Sequence, residues 1–548
     1  MTTALVIHGH FYQPTRENPW TGRVEREPGA RPFHDWNERI LAECYRPNAF
    51  AEIFDDTGRL VRTVNNYAHI SFNFGPTLAS WIERADPEVY QRILEADRES
   101  ARRRAGHGNA IAQSYHHSIL PLANARDLRT EIRWGMTDFR LRFRREPEAM
   151  WLPETACNDA VLCALIEEGL KYVILSPRQA ARVRAGGADE WQDVTDGRVD
   201  ATRAYKFLHR DGSGRSVAVF FYDGRIANAI AFEGVLASSE KLIALFEHAA
   251  RDGEASHVSA ATDGESYGHH YRHGERCLAY ALEEVAPARG FEVTNFGEVL
   301  EREPPAWEVE ISEGPGGEGT AWSCAHGVGR WRRDCGCHAG QNEGWNQAWR
   351  APLREALDFL RDDAAEKFEE AGGALLRDPW AARDDYAELL VDRSDSARAE
   401  FLRRHAAHAL TGEQARRVFT LLEAQRESLA MYTSCGWFFD DIAGLEASQV
   451  LRHAGRALEL LDESGLDAPR ARFLEMLAGA RSNVDSEGNG ADIFRRVVEA
   501  SRKSSGGDER AHGVDERVAD ESIADESVAD ESVVDESDAD ERLLEELI

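Results

Sequence analysis

The feature that most restricts what this chain can fold into is an alternation running through its first 300 residues. Short apolar runs at Ala4–Ile7, Ile70–Phe74, Tyr172–Leu175, Val217–Phe221 and Val258–Ala261 take turns with helical stretches such as Ser80–Gly106 and Asp159–Gly169. Runs this short and this apolar read as strands buried on both faces, and such strands separated by helices imply a parallel sheet covered by helices. The first run ends in His8-Gly9-His10, and α/β barrels keep their functional groups at the C-terminal ends of strands. Residues 1–300 are therefore expected to form an α/β domain arranged as a barrel.

Beyond it, residues 301–319 carry Pro304-Pro305 and Gly314-Pro315-Gly316-Gly317, which read as a linker or long surface loop. The text then becomes helical. Arg354–Gly372, Arg398–Leu410, Thr411–Met431 and Leu445–Leu461 show helical spacing. In the third of these Val418, Leu421, Leu422, Gln425 and Leu429 share a face, and Thr411 with Gln414 forms a capping box. A second, α-helical domain is expected over 320–500. From Val518 to Ser537 an Asp-Glu-Ser unit recurs every five residues, a period that suits neither helix nor strand and offers too little apolar surface for a core. Residues 501–548 are expected to be a disordered acidic tail.

Charge limits the partners. The net charge of −32 opposes nucleic acid; about −14 of it falls between Asp508 and Glu546, counted from the sequence. Only five basic residues are lysines, which fits a surface kept soluble in concentrated salt; a GC-rich genome would produce the same arginine bias. No apolar run approaches the ~20 residues that cross a bilayer, and no basic n-region precedes the first strand, so the expected location is the cytoplasm. The eight scattered cysteines agree with a reducing compartment.

Two carboxylate stretches carry the chemistry. Trp151-Leu152-Pro153-Glu154 sets an acid beside an indole, an arrangement suited to sugars, although a glutamate after proline also suits a helix N-terminus. Glycosidic cleavage needs a second carboxyl. Asp263-Gly264-Glu265, directly after the run Val258–Ala261, supplies one at a strand end, followed by Tyr267, His269 and His270. His8 and His10, at i and i+2, can share a face and either hold a metal, donate to substrate hydroxyls or orient a carboxylate. Tyr115-His116-His117 precedes Leu120-Pro121-Leu122 at another strand-like end. Cys324, His326, Cys335, Cys337 and His338 form a compact group whose members are zinc-ligand types, yet Cys335-x-Cys337 is tighter than the common Cys-x2-Cys knuckle, and reduced cysteines also pack cores or line sites. A fifth stretch, Tyr432 to Asp441, clusters aromatics with paired acids.

Taken together, His8-Gly9-His10 with Gln13-Pro14, Tyr115-His116-His117, Trp151-Leu152-Pro153-Glu154 and Asp263-Gly264-Glu265 resemble, in order, the sequence regions of glycoside hydrolase family 57. The resemblance spans about residues 1–300. It implies an incomplete (β/α)7 barrel followed by helices, and a retaining reaction on α-glucan or malto-oligosaccharide without metal or cofactor. On the matching positions Glu154 is the nucleophile and Asp263 the general acid/base. His8, His10, His117, Trp151, Glu265 and His269 are then expected to bind or tune at the sugar, with Trp437 and Asp440 reaching over the site from the helical region. One departure is that Phe11-Tyr12 separate His10 from Gln13-Pro14. The region after 320 resembles the C-terminal domain of unassigned function, DUF3536, carried by one subgroup. The rival readings are a metal-dependent hydrolase built on His8, His10 and Asp263, and a glucan-binding protein that does not cleave.

Overall fold

The computed structural model describes residues 3–250, 255–340 and 342–506. The acidic repeats lie outside the described residues. Seven parallel strands follow one another around a ring: β1 (Thr3–Phe11), β2 (Ser71–Phe74), β3 (Ala112–Gln113), β4 (Met150–Trp151), β5 (Tyr172–Leu175), β6 (Ser216–Phe221) and β7 (His257–Asp263). Ladders join β7 to β1, β1 to β2, β3 to β4 and β5 to β6. Single bridges, Phe72 to Ala110 and Ala149 to Tyr172, close two more steps. Between β6 and β7 no ladder forms among the described residues; one bond, from the Asp223 N–H to the Ser259 carbonyl at 2.8 Å, crosses the seam. The free edge of β6 is taken by the antiparallel strand Ala204–Leu208. The barrel is incomplete for that reason.

Side-chain alternation along β1 sorts the core into two layers. Ala4 and Val6 point into the ring with Ile111, Ala149, Trp151, Tyr172, Ile174, Ala218, Phe220 and Ala261. Leu5, Ile7 and Phe11 point outward onto helices with Phe72, Met150, Val173, Val219 and Val258. Burying each large apolar side chain contributes roughly 1.5–3 kcal/mol, and a one-residue slip would reverse both layers. His8 and His10 continue the inward face of β1 at its end.

Three expectations are corrected. The segment 301–319 is no linker throughout, since Trp307–Ile311 is a strand that pairs with Ala180–Ala185 and Ala204–Leu208. Its alternation, Trp-Glu-Val-Glu-Ile, was obscured by the flanking prolines and glycines. The stretch 80–106 is two helices, Pro76–Ala85 and Pro87–Arg103, because Asp86 caps the second through the Val89 N–H and Pro87 cannot continue the first. The last helix runs Gly490–Gly506, so the first residues assigned to the tail are helical.

The helical region is built on α1 (Arg350–Gly373), α2 (Gly412–Ala430) and α3 (Leu445–Glu463). Thr411 and Gln414 form the expected capping box on α2. Ile119 and Ala156 from the barrel enter the core of this region, as do Tyr115 and Trp134. The buried Arg383 guanidinium donates to Asp127 at 2.8 Å and to Thr130 at 2.7 Å, while its carbonyl accepts from the Trp134 indole at 2.7 Å. Breaking such a buried pair by removing one partner costs about 3–5 kcal/mol, so the junction is firm. No helix among the described residues is long and apolar enough to cross a membrane.

Candidate active site

Glu154 sits in the turn that follows β4. Its backbone is left-handed, with φ 58° and ψ 21°, and Thr155 follows with φ 48°. Non-glycine residues adopt this conformation at a cost of about 1–2 kcal/mol each, so surrounding bonds must hold it. Thr155 donates its N–H to the Leu152 carbonyl at 2.8 Å and its carbonyl accepts from Gln179 at 2.8 Å. An antiparallel bridge ties Cys157 to Thr320, with both bonds at 2.9 Å. That bridge brings the segment after Thr320 onto the carboxylate. The Glu154 carbonyl accepts from the Trp322 N–H at 3.0 Å, and its Oε2 accepts from the Trp322 indole at 3.0 Å and the Ser323 hydroxyl at 2.5 Å. Burial raises the Glu154 carboxyl above its ordinary value, while Ser323, Trp322 and the Arg330 charge act to lower it.

Asp263 ends β7, in register with His10. Its side chain opens to solvent, and no side chain among the described residues hydrogen-bonds to it. The surrounding protein, then the charges of Glu265 and Glu154, push its carboxyl well above the usual range. Glu265 is buried, held by the Tyr45 hydroxyl at 2.8 Å. Gly264 is required by a close approach, because a Cβ there would meet the Phe11 ring at 2.3 Å.

Behind the carboxyls lies a neutral histidine network. His8 bonds to Ser71 at 3.0 Å and Asn73 at 3.1 Å. Asn73 donates to Gln113 at 2.7 Å and to His10 Nδ1 at 2.9 Å. His10 Nε2 lies 3.0 Å from His117 Nε2, and His117 Nδ1 lies 2.6 Å from the Ser434 hydroxyl. One assignment satisfies every partner: His10 accepts at Nδ1 and donates from Nε2, and His117 accepts at Nε2 and donates from Nδ1. Burial lowers His8 and His10 to about 3 and His117 well below its ordinary value, so all three imidazoles are neutral. Trp151 stacks on His8 and His10 at 4.8 and 5.0 Å.

This geometry corrects several expected roles. His8, His10 and His117 are 0%, 5% and 2% exposed with their ring nitrogens engaged, and Trp151 is 0% exposed with its indole N–H lacking a hydrogen-bond partner among the described residues. His10 packs against Trp151 and Trp322, which flank the turn that carries Glu154. The donor atoms of His8, His10 and Asp263 do not converge as a cation-binding set. His269 pairs with Glu43. Trp437 is buried, its indole donating to the Arg350 carbonyl at 3.3 Å, and Asp440 accepts the backbone N–H groups of Ala339 and Gly340 at 2.7 and 2.6 Å. The helical region does reach the site, through other residues: Ser434 on His117, and Thr433 on the Tyr12 hydroxyl at 2.6 Å. Trp322 and Ser323, 168 and 169 residues from Glu154, had no sequence signal linking them to it. A surface cavity of about 470 Å3 lies elsewhere, lined by Glu52–Phe54, Leu236 and Tyr271–His273.

The family model described as glycosyl hydrolase family 57 matches residues 12–312, and that of DUF3536, a domain of unknown function, matches 345–506. The fold is similar to that of an exo-type maltose-forming amylase from Pyrococcus sp. ST04, with TM-score 0.65 and 14% identity over 93% of this chain and 94% of that one. A branching enzyme from Thermococcus kodakaraensis gives TM-score 0.53 and 15% identity over 91% and 94%. The Pyrococcus horikoshii branching enzyme gives 0.50 and 15% over 92% and 95%. No curated protein matches the sequence.

Proposed function

Because the chain belongs to glycosyl hydrolase family 57, whose model spans more than half of it, we propose that it cleaves or transfers α-glucan by retaining double displacement. Glu154 attacks the anomeric carbon as the glycosidic bond breaks, and Asp263 gives its proton to the leaving oxygen. Asp263 then takes a proton from water or an acceptor hydroxyl, which attacks the same carbon and frees Glu154.

The observation that carries this reading is the unequal treatment of the two carboxyls. Glu154 Oε2 accepts from the Trp322 indole and the Ser323 hydroxyl, donors that favour its ionised form against the burial that raises it, as a nucleophile requires. The surrounding protein and two like charges favour the protonated form of Asp263, as an acid requires. Retention requires the two carboxyls about 5–5.5 Å apart. The amylase and branching activities of the structurally similar enzymes support α-glucan as the substrate. Eight cysteines outside any disulfide support a reducing, cytoplasmic setting, and the acidic balance supports work in concentrated salt.

The test is product analysis on malto-oligosaccharides in high salt, with the anomer of the first product followed by NMR. An α-anomer formed first, and lost in Glu154→Gln, is expected. Unimpaired turnover by that variant, or a β-anomer formed first, overturns the reading.

A further inference from the structure

We propose that Cys324, His326, Cys335 and Cys337 bind a structural zinc ion that fixes the loop supplying the partners of Glu154. One ligand atom from each residue lies within 4.8 Å of all the others. Two of the spacings match a tetrahedron around one ion. Zinc–sulfur bonds of about 2.3 Å and zinc–nitrogen bonds of about 2.0–2.1 Å place two sulfurs about 3.8 Å apart, and a sulfur and a nitrogen about 3.6 Å apart. Cys337 Sγ lies 3.8 Å from Cys324 Sγ and 3.5 Å from His326 Nδ1. The sulfur separation is far beyond the ~2.05 Å of a disulfide.

The tight Cys335-x-Cys337 spacing is made possible by Gly336, whose φ of +81° turns the chain so that both thiols face the same point.

Charge adds an independent argument. Arg330 and Arg350 are buried beside the cluster, and Arg350 donates to the Cys337 carbonyl at 2.8 Å. Arg330 Nε and Nη1 and Arg350 Nε find no hydrogen-bond partner. The Asp440 and Glu154 carboxyls offset part of the guanidinium charge, and three neutral thiols offset none of it. A zinc ion with three thiolates and one imidazole carries a net charge of −1 and offsets the rest. Binding releases the three thiol protons to solvent. Four protein ligands leave no open position, so the ion is structural and takes no part in bond breaking. Its effect on the reaction is positional, since Trp322 and Ser323 directly precede Cys324.

The experiment is metal analysis of the full chain purified without chelator, with Co2+ exchange as a second readout. About one zinc per chain, and thiolate-to-cobalt charge-transfer absorption after exchange, are expected in the unmodified protein. Cys335→Ser/Cys337→Ser should lose both signals, and the exposed His326→Ala should weaken zinc retention. Glu154→Gln should keep its zinc, which separates the fate of this site from that of the glycosidase reading. Should the cysteine variant not fold, the cobalt spectrum of the unmodified chain decides alone. Zinc that dialyses away from the unmodified chain, a Cys324–Cys337 disulfide in its peptide map, or undiminished zinc in the cysteine variant overturns the proposal.

Discussion

Glu154 stands on two consecutive left-handed residues and is clasped by donors that arrive from beyond the barrel. Asp263 stands on the last residue of a seven-residue strand, opens to solvent and answers to charges instead of donors. The first mount depends on a long-range bridge, Cys157 to Thr320; the second depends on the barrel ladder with β1. The difference teaches how one site can set two like carboxyls apart: the surrounding protein raises both, donors oppose that at Glu154, and neighbouring anions add to it at Asp263.

The largest effect that could break this comparison comes from the carboxyls themselves. On glucan, Asp263→Asn should lower kcat/KM by about 10²–10⁴-fold, and Glu154→Gln should leave no measurable turnover. An aryl glycoside whose leaving group needs no proton should restore bond cleavage to the Asp263 variant only. Recovery in both, or in neither, would contradict the assigned roles.

Next comes Glu265→Gln, which removes a like charge acting on Asp263. The carboxyl of Asp263, now less raised, deprotonates earlier as pH climbs. The alkaline limb of the kcat/KM profile should therefore move to lower pH, with activity down about tenfold on that flank. An unmoved alkaline limb would mean that Glu265 does not tune the acid.

Ser323→Ala acts on the other carboxyl. Glu154 loses a donor to its charged form, becomes easier to protonate, and the acid limb should shift to higher pH. Loss of such a bond is worth about 1.5–3 kcal/mol, or roughly tenfold on the acid flank; a shift of the alkaline limb instead would reverse the comparison. The smallest effect is Ser434→Ala, which leaves His117 Nδ1 without its partner. Urea unfolding should report a loss of about 1 kcal/mol with both pH limbs in place.

The strands that sequence located best were those with uninterrupted apolar runs: β5 is bounded at Tyr172 and Leu175 as read. Strands β3 and β4, two residues each, carry too little pattern to be seen. The i, i+2 spacing of His8 and His10 correctly put them on one face. That Trp151 stacks over that face, so that both imidazoles serve as supports, depends on a neighbour 140 residues away. The two carboxyls stood out because their motifs occur in order with those of His8-Gly9-His10 and Tyr115-His116-His117. The partners of Glu154 were hidden, since only the Cys157–Thr320 bridge makes them neighbours. Trp437 and Asp440 misled for a related reason. An aromatic–acid segment reads the same whether it faces a substrate or, as here, fills a core and anchors backbone N–H groups.

The left-handed pair at Glu154 and Thr155 has a consequence for how this enzyme can be divided. A fragment ending at residue 311 would keep every ring strand and both carboxyls. It would lack Thr320, Trp322 and Ser323, and with them the bonds that offset the unfavourable backbone. The turn would then relax toward ordinary dihedrals and swing the carboxylate off its axis. The unit that holds Glu154 is thus larger than the barrel, and a genetic rearrangement that exchanged the C-terminal half wholesale would hand on the ring strands without the bonds that aim this carboxylate.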